Sequence, residues 1–151
     1  MRVFRIHKKA RAPSDYDGSL KYPNRWNPAG SPMLYASTHL SLACLEVLVH
    51  MSPKQMPPNL VWSFADLWME VGELAYRRNL SDELLTRQAG YQWASSLESL
   101  AILVPSVVLP EEMNVLINPV HSDFSNISWS ESKFLNWDKR LVSLVTGDPL
   151  L

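Results

Sequence analysis

Between residues 40 and 51 apolar side chains recur with the three- and four-residue spacing of a helix. Leu42, Leu45, Leu48 and Val49 fall on one broad face, which Cys44 and Val47 extend. The narrow stripe left over holds His39, Ala43, Glu46 and His50. Thr38 suits the N-cap and Pro53 the stop. Ahead of this helix, Asn27-Pro28-Ala29-Gly30 reads as a tight turn, in which proline presets one dihedral and glycine supplies a positive one. The turn predicts Arg25 and Tyr35 on neighbouring extended segments, 25–27 and 33–36.

Elsewhere, residues 2–7 mix basic and apolar side chains and read as a first strand, and 60–64 as another. Trp62, Phe64 and Trp68 supply aromatic bulk for a core. Residues 12–23 are loop-like, Pro57-Pro58 marks a break, and 74–79 fits no one pattern. Ser81, followed by Asp82 and Glu83, caps a helix start, and 91–97 forms a further helix with Trp93 and Leu97 on one face. The second half is rich in strands at 101–104, 106–109, 114–117, 127–129 and 134–137, punctuated by Pro105 and Pro110. Strands and helices mix without regular alternation, which predicts an α+β fold and not a doubly wound sheet.

The chain has 151 residues, the size of one domain able to bury its own core, so a single domain over 1–151 is expected. A net charge of −1 argues against a broad nucleic-acid or anionic-membrane surface. Cys44 is the only cysteine, so no intrachain disulfide forms, which suits a reducing cytoplasm. Residues 1–9 carry charges with no apolar run after them and do not read as a signal peptide. The longest apolar stretch, 100–109, is too short to span a bilayer.

Glu46 is the residue that needs explaining. A carboxylate in a helix that otherwise reads as buried needs either a partner, such as His50 four residues on, or a task. Arg25 beside Trp26 is open in the same way, between a stacked surface residue and a functional one. Glu46 and His50, with His39 or His121, have a spacing that zinc sites use, but no His-Glu-x-x-His pair is present and no metal is expected. Neither a Gly-x-Gly-x-x-Gly fingerprint nor a phosphate loop occurs, so a nucleotide would have to be held without the Rossmann device.

Taken in order, several segments resemble one family. Arg25-Trp26-Asn27-x-x-Gly30 is followed by Leu34-Tyr35-Ala36-Ser37 and then Ser41-Leu42-Ala43-x-Leu45-Glu46-x-Leu48-Val49-His50. Val104-Pro105-Ser106, Leu116-Ile117-Asn118-Pro119-Val120-His121 and Asp138-Lys139-Arg140-Leu141 come after them. Together these resemble the RES domain, over about residues 5–141. The resemblance implies a compact split β-sheet fold similar to ADP-ribosyltransferase toxins, whose cleft holds NAD. It implies a toxin that degrades NAD+ at the nicotinamide–ribose bond, as a glycohydrolase or, with inorganic phosphate as acceptor, a phosphorylase. NAD+ is then a substrate and no cofactor is needed. The implied catalytic residues are Arg25, Glu46 and Ser106, with Arg25, Tyr35 and Tyr16 binding substrate. The implied partner is an Xre-type helix-turn-helix antitoxin that blocks the cleft near Arg25, with the toxin as a homodimer in the complex. A mono-ADP-ribosyltransferase acting on a protein, and a non-catalytic binding module, remain the competing readings.

Overall fold

The computed structural model describes residues 1–51, 59–68, 71–73 and 80–147. The proposed helix stop at Pro53, the break at Pro57-Pro58 and the ambiguous 74–79 lie outside them. Among the described residues, seven strands form one sheet: β1 (Arg2–Lys8), β2 (Leu34–Ser37), β3 (Leu60–Asp66), β4 (Gly72–Glu73), β5 (Ala101–Pro105), β6 (Met113–Ile117) and β7 (Lys133–Phe134). Their order is β4-β5-β6-β2-β1-β3-β7. All neighbours are antiparallel except β4 and β5. Four α-helices accompany the sheet: α1 (Asp17–Lys21), α2 (Leu40–His50), α3 (Glu83–Ser96) and α4 (Lys139–Thr146). The fold is α+β, and no helix among the described residues is long and apolar enough to cross a membrane.

The central strands are buried on both faces. Leu34, Ala36, Ala101, Val115 and Ile117 pack on one side with Val3, Ala65 and Leu100. Their neighbours in sequence, Ile102, Val104 and Leu116, pack on the other side against Trp26, Met33 and Trp93. This is the period-two alternation of a strand with both faces covered. The two halves of the sheet meet at β1 and β2, where the register shows a single pair, Phe4 opposite Ser37. By contrast, β1 pairs with β3 along its whole length.

Several expectations are corrected. Segment 25–27 is not a strand; Asn24 and Asn27 form only an isolated bridge. Residues 106–109 turn instead of extending, because the Ser106 hydroxyl accepts from the Val108 and Leu109 amides at 3.1 and 3.0 Å. Residues 127–129 contribute one isolated bridge, Trp129 to Ala65. Residues 134–137 leave the sheet after Phe134, and Asp138 then caps α4 by accepting from the Arg140 amide. The two helical stretches after residue 81 are one helix, α3, capped by Asp82 and not by Ser81. Residues 12–23 include the short helix α1. His39, not Thr38, holds the N-cap position of α2, while the Thr38 hydroxyl donates to the Met113 carbonyl. Trp68 is 92% exposed. Trp62 and Phe64 are half-buried beside Phe4 and carry the cations of Lys133 and Arg2 over their rings.

The buried face of α2 also differs from the expected one. Leu42 and Ala43 are buried, whereas Leu45 is 39% and Val49 61% exposed. The helix packs against β1 and β2, and Leu42 and Ala43 are its buried residues.

Candidate active site

The segment from Arg25 to Tyr35 is held by its own polar groups. Asn27 is fully buried, and its amide nitrogen lies 2.8–3.0 Å from the carbonyls of Ser19, Pro28 and Ser31. Its Oδ1 accepts from the Tyr35 hydroxyl at 2.7 Å, and that hydroxyl accepts from the Trp26 amide at 3.2 Å. Gly30 closes the turn at φ +84°, a left-handed conformation that glycine adopts without strain. Burial pushes the Tyr35 phenol well above its ordinary pKa, so it stays a neutral donor.

Helix α3 presses on this segment directly. A Cβ on Gly90 would lie 2.0 Å from the Trp26 carbonyl oxygen, so only glycine allows the approach. One turn earlier the Thr86 hydroxyl donates to the Arg25 carbonyl at 2.9 Å. The Arg25 side chain reaches the same helix start. Its Nη1 donates to the Leu80 carbonyl at 2.7 Å and its Nη2 lies 3.4 Å from Glu83. Arg87 shares Glu83 at 3.5 Å and donates through Nε to the Asn24 carbonyl at 3.0 Å.

Glu46 and this pair of arginines line one cavity of about 620 Å³. That lies within the roughly 300–1,000 Å³ of small-molecule sites. Its Oε1 accepts from the Ser106 hydroxyl at 2.8 Å and from the Asn114 amide at 2.5 Å. Asn114 is itself fixed, because its Oδ1 accepts from Ser37 across the β2–β6 pairing at 2.7 Å. Oε2 has His50 Nε2 at 3.9 Å. The carboxylate is thus aimed by one helix and the edges of two central strands, with one oxygen tied and the other turned away from those ties.

The cavity takes residues from both sides of the β1–β2 junction: Phe4, Arg5 and Ile6 from β1, and Tyr35, Ala36 and Ser37 from β2. Arg25, Tyr35 and Glu46, all named from the sequence, share this one lining. Ser106 is fully buried, and its hydroxyl is spent on Glu46 and two amides. It therefore holds Glu46 and does not itself line the cavity. Tyr16 is not part of the lining; it packs edge-on against Phe124 at 5.9 Å, beside the core on the other side of the sheet. His39 pairs with Glu112 at 3.2 Å and His121 with Asp123 at 3.7 Å, so neither joins Glu46. Among the described residues no three His, Cys, Asp or Glu side chains gather as a metal site.

Three lining residues escaped the sequence reading: Asn114, Arg87 and Arg5. Arg87 carried a signal, four residues after Glu83 on a helix. Arg5 carried one too, sharing a strand face with Val3 and His7, both buried. Nothing local marks Asn114.

Comparison with known proteins agrees with the motif order. The family model described as RES domain matches residues 2–138. The "Prs ADP-ribosylating toxin" of Sphingobium sp. (strain YBL2) is 35% identical over 128 residues, 78% of this chain and 80% of that protein. A "Toxin Res" of Photorhabdus laumondii is 33% identical over 135 residues, 82% of this chain and 80% of its own length. A chain of the crystal structure of the M. tuberculosis MbcT-MbcA toxin–antitoxin complex superposes with TM-score 0.67 at 15% identity, covering 97% of this chain and 89% of that one. This last likeness speaks to the fold.

Proposed function

The chain belongs to the RES domain family, and from that premise we propose that it is a toxin that consumes NAD+ by breaking the bond between nicotinamide and ribose. The observation that carries the reading is Glu46, pinned through one oxygen and lining one cavity with Arg25. Nicotinamide leaves as a neutral ring from a cation, so the reaction needs no general acid. It needs a fixed negative charge beside a sugar that becomes oxocarbenium-like. Oε2 of Glu46 supplies that charge, and the ties on Oε1 keep it from swinging away. Tyr35 and the apolar arc of Val47 and Val108 shape the space around the departing ring. Arg25 meets the substrate from the α3 side. The acceptor is water or inorganic phosphate. The parting of the sheet at β1 and β2 supports assigning the chain to the ADP-ribosyltransferase-like folds, acting as one unit over its length.

A second reading is favoured by the name of the Sphingobium relative, which is called ADP-ribosylating. In it the acceptor is a side chain of a protein target. The likeness to a toxin–antitoxin complex supports a cognate antitoxin, for which we infer an Xre-type helix-turn-helix partner that covers the cavity mouth. A toxin homodimer within that assembly is part of the same proposal.

The test is to incubate purified protein with NAD+ and measure released nicotinamide. Release without a protein target supports the first reading, and release that requires one supports the second. Glu46→Gln is expected to lower the rate about a hundredfold or more, since it removes a charge made useful in the transition state. A wild-type protein that releases no nicotinamide under either condition refutes both and leaves a binding module.

A further inference from the structure

We infer that Glu83 is a specificity-determining residue of this cavity: its carboxylate holds the point where Arg25 and Arg87 converge, and so limits how much negative charge a ligand can bring there. The inference rests on the NAD+ reading above and deepens it, by naming what selects among nicotinamide dinucleotides.

All three side chains line the cavity. Nη2 of Arg25 lies 3.4 Å from Glu83 Oε1, and Nη2 of Arg87 lies 3.5 Å from Oε2. Two guanidinium groups thus meet one carboxylate, one at each oxygen. Both have a further anchor that does not involve it. Arg25 Nη1 donates to the Leu80 carbonyl at 2.7 Å, and Arg87 Nε donates to the Asn24 carbonyl at 3.0 Å.

The carboxylate is the loosely held member. Charge-assisted N–H···O bonds are ordinarily about 2.7–2.9 Å long, and both contacts here are longer. The Glu83 side chain is 60% exposed, against 27% and 28% for the arginines. Exposed pairs of this kind add little to stability. A helix start favours an acid, but Asp82 already serves it by accepting from the Leu84 and Leu85 amides at 3.0 and 3.1 Å. The fold therefore gains little from Glu83, and its larger effect falls on a charged ligand. With Glu83 the cluster offers a single net positive charge, and without it two.

Candidate ligands differ in charge. In NAD+ the nicotinamide cation offsets part of the pyrophosphate. ADP-ribose, the product of hydrolysis, has lost that cation. NADP+ keeps it but adds a phosphate monoester of about −1.5 to −2 charges. A fixed carboxylate in the lining repels both of these more than it repels NAD+. Glu83 thus favours NAD+ over NADP+ and speeds the departure of the product.

The experiment measures kcat and KM for NAD+ and NADP+, and the inhibition constant of ADP-ribose. The proteins are wild type, Glu83→Gln, Glu83→Asp and Glu98→Gln. Glu98 is exposed and outside the lining, so its variant makes the same change in net charge elsewhere. The ratio of kcat/KM for the two dinucleotides does not depend on how much protein is folded. Glu83→Gln is expected to shift that ratio toward NADP+ about threefold to thirtyfold, through KM, and to tighten ADP-ribose inhibition by a similar factor. Both gains should shrink as salt is added. Glu83→Asp keeps the charge and stays nearer wild type, and Glu98→Gln changes neither value by more than about twofold. A ratio unchanged in Glu83→Gln, or shifted equally by Glu98→Gln, overturns the inference. So does a loss of thermal stability with all rates falling together, which is the mark of a structural role alone. Should the wild type cleave neither dinucleotide, the NAD+ reading has failed separately. Calorimetric titration with ADP-ribose and with inorganic pyrophosphate then decides: tighter binding to Glu83→Gln than to wild type supports the role of the carboxylate, and absent, unchanged or weaker binding overturns it.

Discussion

Replacing Ser106 by alanine separates two ways in which this residue can serve the site. In the structure the hydroxyl donates to Glu46 Oε1 at 2.8 Å and accepts from the Val108 and Leu109 amides at 3.1 and 3.0 Å. Serine has one donor and two acceptor lone pairs, so all three are in use. Alanine removes a hydrogen bond to a charged group, worth about 1.5–3 kcal/mol, and strips two amides of their acceptor. Those amides border exposed Val107, so water recovers part of their loss. The sum is a destabilisation of about 2–4 kcal/mol, or a fall in Tm of about 4–16 °C for a chain of this length. The kinetic effect is distinct. Glu46 keeps its bond from Asn114 but loses one of two ties, and slack in a reacting group of about 1 Å costs about a hundredfold. The expectation is a kcat for nicotinamide release down about tenfold to a hundredfold at temperatures where the variant is folded, with KM for NAD+ nearly unchanged. Asn114→Ala should behave alike. The double variant should then lose less than the product of the two single losses, because both act through one carboxylate. The result that refutes this reasoning is a raised KM with unchanged kcat, which means that Ser106 touches the substrate itself. Full multiplicativity in the double variant would equally deny a shared target.

Three other outcomes follow from the geometry. Gly90→Ala drives a methyl group against the Trp26 carbonyl, so α3 must lift from the Arg25 segment; a loss above about 3 kcal/mol is expected in urea melts, against the gain of up to about 1 kcal/mol that alanine brings to a free helix. Tyr35→Phe removes the bond to buried Asn27 and the acceptor of the Trp26 amide, so stability should fall by about 1–3 kcal/mol by thermal denaturation, with the cavity still lined by a ring. His7 is buried, with Nδ1 facing two carbonyls at 3.0 and 3.1 Å and Nε2 at 3.0 Å from the Ser63 hydroxyl, and burial lowers its pKa. A lowered pKa means that the unfolded chain takes up the proton first, so stability is lost as pH falls below about 6.5; the Tm advantage of wild type over His7→Gln should therefore shrink between pH 7 and pH 5.

What could be read in advance depended on how far each element's signal was local. The turn is written in adjacent residues: Gly30 takes the positive φ as read, and the closing hydrogen bond falls one residue later, from the Ser31 amide to the Pro28 carbonyl. Helix α2 was visible as an element, but not its orientation. Leu42, Cys44, Leu45, Val47, Leu48 and Val49 are apolar on nearly all sides, so periodicity cannot choose a face. Tertiary contact with β1 and β2 buries Leu42 and Ala43 and leaves Leu45 and Val49 exposed. Glycine has low helix propensity, yet α3 runs through Gly90, where the Trp26 backbone occupies the place of a Cβ.

The partners of Glu46 were illegible for a related reason. Ser106-Val107-Val108-Leu109 has a strand's composition, and only a hydroxyl bonded back to two amides turns it into a loop. Asn114 lies 68 residues from Glu46 and is brought to it by strand register, which no local pattern encodes. Charge in a nearly neutral chain hid the third feature. Net charge says nothing of how ions pair inside, and the pairing here is uneven: Glu83 answers Arg25 and Arg87, and Arg5 is left to a carbonyl. In the same cavity Glu46 is held through one oxygen by Ser106 and Asn114 and keeps the other free of those ties.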